Sequence, residues 1–107
     1  MNEVWVVESP LVMVEGEEIA FSLEWLGACQ VEEPAAVVYR GGQDVTGEVM
    51  VSGDEHVVSG AVVTLKKITA GASDGGAKYV VAIRCRVDGN REIRKLLLHV
   101  VRAGSEG

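Results

Sequence analysis

Histidine, cysteine, proline and aromatic residues are all scarce in this chain. Its 107 residues include two histidines, two cysteines, two prolines and five aromatics (two Trp, two Tyr, one Phe). Each shortage excludes a class of function. Nucleophilic catalysis needs a nucleophile, a base and an orienting group at one place, and only His56 and His99 offer a near-neutral base. Metal sites need clustered ligands, and neither Cys29 nor Cys85 has a cysteine or histidine close by. The expectation is two buried free thiols that behave as small hydrophobes, with a disulfide between them as the alternative. With so few aromatics there is no stacking platform for nucleic acid. No apolar run approaches the roughly 20 residues that span a bilayer as a helix. The opening Met1-Asn2-Glu3-Val4-Trp5 has neither the basic nor the apolar region of a secretory signal. The expectation is a soluble chain made in a cytoplasm, with no membrane and no nucleic acid among its partners.

Chemical motifs are missing too. No Gly-Lys-Ser/Thr follows the loop Ala70-Gly71-Ala72-Ser73-Asp74-Gly75-Gly76, and no dinucleotide fingerprint, zinc-protease helix or Ca²⁺ loop is present. The pairs Glu17-Glu18 and Glu32-Glu33 would point to opposite faces of a strand, which makes them poor acid–base couples. His56, beside Asp54 and Glu55, reads as a solvated polar turn, with a weak divalent-ion site as its chemical alternative. The chain is expected to be no enzyme and to need no metal or cofactor.

What the chain has in quantity is valine, about a fifth of its residues, and 13 glycines. β-Branched side chains favour the pleated, half-buried surface of a strand, and no segment has long helical periodicity. Short alternating runs recur with turn signals between them. Glu18–Trp25 sends Ile19, Phe21, Leu23 and Trp25 to one face. Ala35–Arg40 ends at Gly41-Gly42, and Val45–Val51, His56–Val58 and Ala61–Ile68 follow. Before them, Val4–Val7 is a first strand broken at Ser9-Pro10 and resumed at Leu11–Val14, which suits an edge strand that switches sheets. The reading is a single all-β domain over residues 1–102 with a flexible tail at 103–107. Its fold class is an immunoglobulin-like antiparallel β-sandwich of seven to eight strands.

The closing hairpin is the most legible part. Tyr79, Val81, Ile83, Cys85 and Val87 point inward, and Lys78, Arg84 and Arg86 outward. Asp88-Gly89-Asn90 tolerates the positive φ of a tight turn. Pairing Val87 with Glu92 sets Leu96 opposite Ile83 and Leu98 opposite Val81, so that Leu97, His99 and Val101 face out. The expected core is Ile19, Phe21, Leu23, Trp25, Val37, Val63, Leu65, Tyr79, Val81, Ile83, Leu96, Leu98 and Val100. Tyr79, at the entry of the penultimate strand, is placed to bond back across the preceding corner.

Charge is unevenly spread. Met1–His56 holds twelve acids and one base, Arg40, for −11; Val57–Gly107 holds nine bases and four acids, for +5. Such polarity serves either as two solvated faces or as docking surfaces for partners, copies of the chain included. The outward stripe Leu97, His99 and Val101, with Arg84, Arg86 and Arg94 as a basic rim, is the candidate docking patch.

The segment Ala35–Val101 resembles small immunoglobulin-like virion proteins of tailed bacteriophages and prophages, of the fibre–tail adaptor type. The residues that carry the resemblance are the valine-rich strand into Gly41-Gly42, the turn Ala70-Gly71, Tyr79 at the head of its strand, Asp88-Gly89-Asn90-Arg91, Arg94, and the apolar strand ending at Val101. Phe21-Ser22-Leu23-Glu24-Trp25-Leu26 fits the family's aromatic strand in the front half. The resemblance implies a non-enzymatic virion component, assembled in the bacterial cytoplasm, that joins other virion proteins or copies of itself in a ring or stack. The residues by themselves leave a second reading open, a binding module of a cellular protein for adhesion or carbohydrate.

Overall fold

The computed structural model of the chain describes residues 11–51, 53–71 and 75–102. The expected strand Val4–Val7, the centre of the glycine loop and the tail at 103–107 lie outside the described residues.

The elements in chain order are β1 (Leu11–Val14), β2 (Glu18–Ile19), β3 (Ser22–Glu24), β4 (Val31–Arg40), β5 (Gln43–Asp44), α1 (Thr46–Val49), β6 (Val57–Ser59), β7 (Val62–Thr64), β8 (Ile68–Thr69), β9 (Lys78–Val87) and β10 (Asn90–Val101). One sheet has the order β1-β10-β9-β4-β5, and the other is built from β3-β7-β6 with the short pair β2-β8. The ten strands lie on eight lines, because β2 continues into β3 and β7 into β8. The three-residue advance from Ile19 to Ser22 faces the four-residue advance from Thr64 to Ile68. That one-residue excess is a bulge, and it divides both lines. Taken along the chain, the first, eighth, seventh, third and fourth lines make one sheet and the second, sixth and fifth make the other. This is an immunoglobulin-like sandwich with its larger sheet extended by one strand. Among the described residues the regular structure is all β apart from the turn α1.

The core sits between the two sheets. Trp25, Val63, Leu65, Tyr79, Val81, Ile83, Leu96, Leu98 and Val100 are buried, as their alternation requires, and Ile19, Phe21 and Leu23 are half-buried against them. Met13, Val38, Val45, Val49 and Ile68 complete the interior. No buried side-chain nitrogen or oxygen lacks a partner among the described residues.

Four expectations need correction. Val37 is not core; Val38 is. The strand starts at Val31 rather than Ala35 and its register shifts between Glu32 and Ala35. There Glu33 takes a φ of 53° beside Pro34, so strand parity cannot be carried across that point. The segment after Asp44 is a helical turn rather than a strand. The Asp44 Oδ1 accepts from the Thr46 N–H at 2.9 Å and the Thr46 hydroxyl at 2.7 Å, and Thr46 Oγ1 accepts from the Val38 N–H at 2.9 Å. These bonds wind the chain and drop Val45 and Val49 into the core. They also hold the Asp44 carboxyl below its ordinary range, since its ionised form accepts both.

The closing hairpin is tighter than expected. Asn90 pairs with Val87, so Leu96 lies opposite Val81 and Leu98 opposite Tyr79. The turn is the two residues Asp88 (φ 49°) and Gly89 (φ 85°), whose paired positive φ values match the twist of the strands. The slip from the expected pairing is two residues, an even number, so every inward side chain stays inward. Last, Cys85 is buried but Cys29 is exposed; both are free thiols. Burial pushes the Cys85 thiol pKa up.

Candidate docking face

The outer surface of the larger sheet can be assembled row by row from the pairings. Across β10, β9 and β4 the rows are Leu97–Val80–Tyr39, Lys95–Ala82–Val37, Ile93–Arg84–Ala35 and Arg91–Arg86–Glu32. On the far side of β10, β1 runs parallel, with Val12 beside His99 and Val14 beside Val101. The middle of this face is apolar apart from Lys95, which lies half-buried between Ile93 and Leu97 on β10. Val12 is 60% exposed, Ile93 43% and Tyr39 36%, and Val37, Val80, Ala82 and Leu97 are half-buried between them. Its hairpin end is basic, with exposed Arg84, Arg86 and Arg91.

Leu97, His99 and Val101 lie on this face, half-buried in the sheet surface. Arg84 and Arg86 share it. Arg86 is ion-paired through Nε to the Glu33 carboxylate at 2.9 Å, so the bulge that rotates β4 also supplies an anion to this rim. Arg94 is a correction. It sits opposite Ile83 and shares the inward face of Leu96 and Leu98. There it pairs with Glu92 at 2.9 Å and lies 5.6 Å over the Trp25 ring, while the Trp25 Nε1–H donates to Glu92 at 3.2 Å. Burial near the open end of the sandwich is tolerable for this arginine because carboxylate and indole both face it. Arg94 therefore belongs to the packing of Trp25 and not to the outer rim.

Several residues of the face were not expected. Ile93 shares the parity of Leu97 and His99. Val12 joins through a parallel pairing that no local pattern reveals. Val37 and Tyr39 join because of the bulge.

The remaining titratable cluster is structural. Between β7 and β8 the ladder is interrupted, and side chains take over its amides. His56 Nδ1 accepts from the Lys66 N–H at 3.1 Å and Asp54 Oδ2 from the Lys67 N–H at 3.0 Å. Burial first, and the Lys66 charge second, lower the His56 pKa from its ordinary value. The turn expected to be solvated is thus a clamp on the neighbouring strand. Among the described residues no group of three or more His, Cys, Asp or Glu could hold a metal ion, and no helix is long and apolar enough to cross a membrane.

No family model matches the sequence, and no curated protein is significantly similar to it. Among solved structures the chain is similar to the crystal structure of a complex between titin M10 and a mutant obscurin-like 1 immunoglobulin domain. The identity is 22%, over 87% of this chain and 85% of that one, with a TM-score of 0.46.

Proposed function

We propose that the domain is a non-enzymatic docking module, and that its setting is the virion of a tailed bacteriophage or prophage, as an adaptor or accessory protein of the tail or tail fibre. The observation that supports docking is the outer face of the larger sheet. It offers an apolar middle of Val12, Ile93, Leu97, Val80 and Tyr39 next to a basic end of Arg84, Arg86 and Arg91. An apolar patch with a charged rim has the anatomy of an interface, with charge steering the encounter and apolar area providing adhesion. The smaller sheet exposes Glu18 and Glu24, so the two outer faces differ in sign. Unlike faces favour heterologous contacts that close into rings or stack along an axis, and the partners are other virion proteins or copies of this chain. The virion setting rests on the sequence resemblance.

Two measurements test this reading. Val12→Ser with Ile93→Ser removes exposed apolar side chains and should leave the circular-dichroism spectrum and melting temperature nearly unchanged. It should weaken self-association in sedimentation equilibrium, or incorporation into particles. Unchanged association would sink the face as the docking surface. For the setting, portal, capsid or tail genes beside this gene support a virion role; a strong specific signal on a glycan array would favour a cellular binding module instead.

A further inference from the structure

At the hairpin end of the larger sheet lies a polar hollow of about 220 Å³, lined by Glu33, Arg84, Cys85, Arg86 and Arg91. We propose that it is a binding site for a doubly charged oxyanion of the phosphate class, either the free ion or the phosphoryl group of a monoester. The inference concerns a ligand of the basic end. It stands whether or not the apolar middle of the face docks a partner.

The ladder gathers three guanidinium groups at this place. Arg86 lies directly opposite Arg91 across β9 and β10. Arg84 is two residues before Arg86 on the same outer face of β9, which makes it the diagonal neighbour of Arg91. Directly opposed side chains start about 4.5–5.5 Å apart, diagonal ones about 7–8 Å, and like charges so placed destabilise the pair. An anion set between them relieves that repulsion.

The local acids do not balance these cations. Arg86 is paired with Glu33 at 2.9 Å. Among the described residues, Arg84 and Arg91 have no hydrogen-bonding or ion-pair partner. Glu32 ends the row of Arg86 on β4 but does not line the hollow. Asp88, in the adjoining turn, is engaged by the Cys29 and Gln30 N–H groups. The lining thus holds three cationic side chains and one carboxylate, a surplus of two positive charges. A ligand carboxylate supplies one negative charge. A phosphoryl group carries about −1.5 to −2 near pH 7 and presents three acceptor oxygens, which suit the planar forks of arginine. A phosphodiester carries a single charge, so nucleic-acid backbone and phospholipid diesters match the site less well. The β4 bulge, where Glu33 takes its φ of 53°, forms one wall, so the hollow is part of the fold.

Titration calorimetry on the full chain, near neutral pH and at fixed ionic strength, tests this with inorganic phosphate, methyl phosphate and dimethyl phosphate. The first two should bind saturably at one site with a Kd of about a millimolar or tighter, and the diester at least about tenfold more weakly. Tighter binding of methyl phosphate assigns the site to a phosphoryl group on another molecule; equal or tighter binding of inorganic phosphate assigns it to the free ion. Arg84→Gln and Arg91→Gln, both at exposed positions, should each weaken binding about tenfold with folding retained. Glu33→Gln removes a competing anion and should strengthen binding several-fold. Lys78→Gln, an exposed cation at the other end of β9, should leave it unchanged. Equal affinity for the diester, an equal loss from Lys78→Gln, or no saturation would show only a diffuse positive field and overturn the proposal.

Discussion

His56 accepts the Lys66 N–H through a ring nitrogen that must be unprotonated to do so. Its pKa is lowered in the fold, so the unfolded chain binds the proton at higher pH than the folded chain does. The stabilising contribution is therefore fully present above the ordinary value near 6.5 and is lost as pH falls through the lower folded value. Thermal melts should show a falling melting temperature below about pH 6.5, and His56→Ala should be less stable at pH 8 with a shallower decline on acidification. Equal slopes in parent and variant would remove His56 as the cause. Arg94 marks what can be read at this scale. Its inward parity was legible, two residues before Leu96. What makes an inward arginine stable was not: Glu92 and Trp25 meet across a separation of 67 residues, and no local pattern announces that meeting.

The β9–β10 hairpin is the element most completely written in its residues, because strict alternation on both strands settles which side faces in. Alternation has period two, so it specifies register only modulo two. The expected and observed pairings differ by that amount. The deciding information lies in Asp88, whose φ is positive and whose carboxylate accepts from the Cys29 and Gln30 N–H groups at 3.0 and 2.8 Å. One residue thus sets the turn and ties the hairpin to the start of β4. Asp88→Ala should cost about 0.5–1.5 kcal/mol, the net scale of hydrogen bonds whose donors water can reach, while Asp88→Asn should retain more of the stability. Urea unfolding would measure both, and a neutral Asp88→Ala would mean that the tie contributes nothing. The elements that sequence concealed have equally local causes. The turn α1 is too short to show a period and depends on Asp44 and Thr46, and the β4 bulge depends on Glu33 adopting a backbone region that few side chains visit.

Across the whole molecule the uneven charge of the sequence becomes spatial. The last two long strands bring Arg84, Arg86 and Arg91 to one outer face, and the early strands bring Glu18 and Glu24 to the other. The parallel contact of β1 with β10 joins positions 87 apart, and this has a consequence for biosynthesis. A ribosome adding about 5–20 residues per second completes Leu98 roughly 4–17 s after Leu11. Through that interval β1 has no partner for its ladder, and Met13, which is only 1% exposed in the finished fold, has no core to enter. The nascent chain must wait with an apolar edge uncovered. Chains stalled after Gly89 should therefore bind ribosome-associated chaperones and aggregate on release, whereas chains released after Val101 should stay in solution. Comparable solubility of the two would show that β1 finds another shelter before its partner is made.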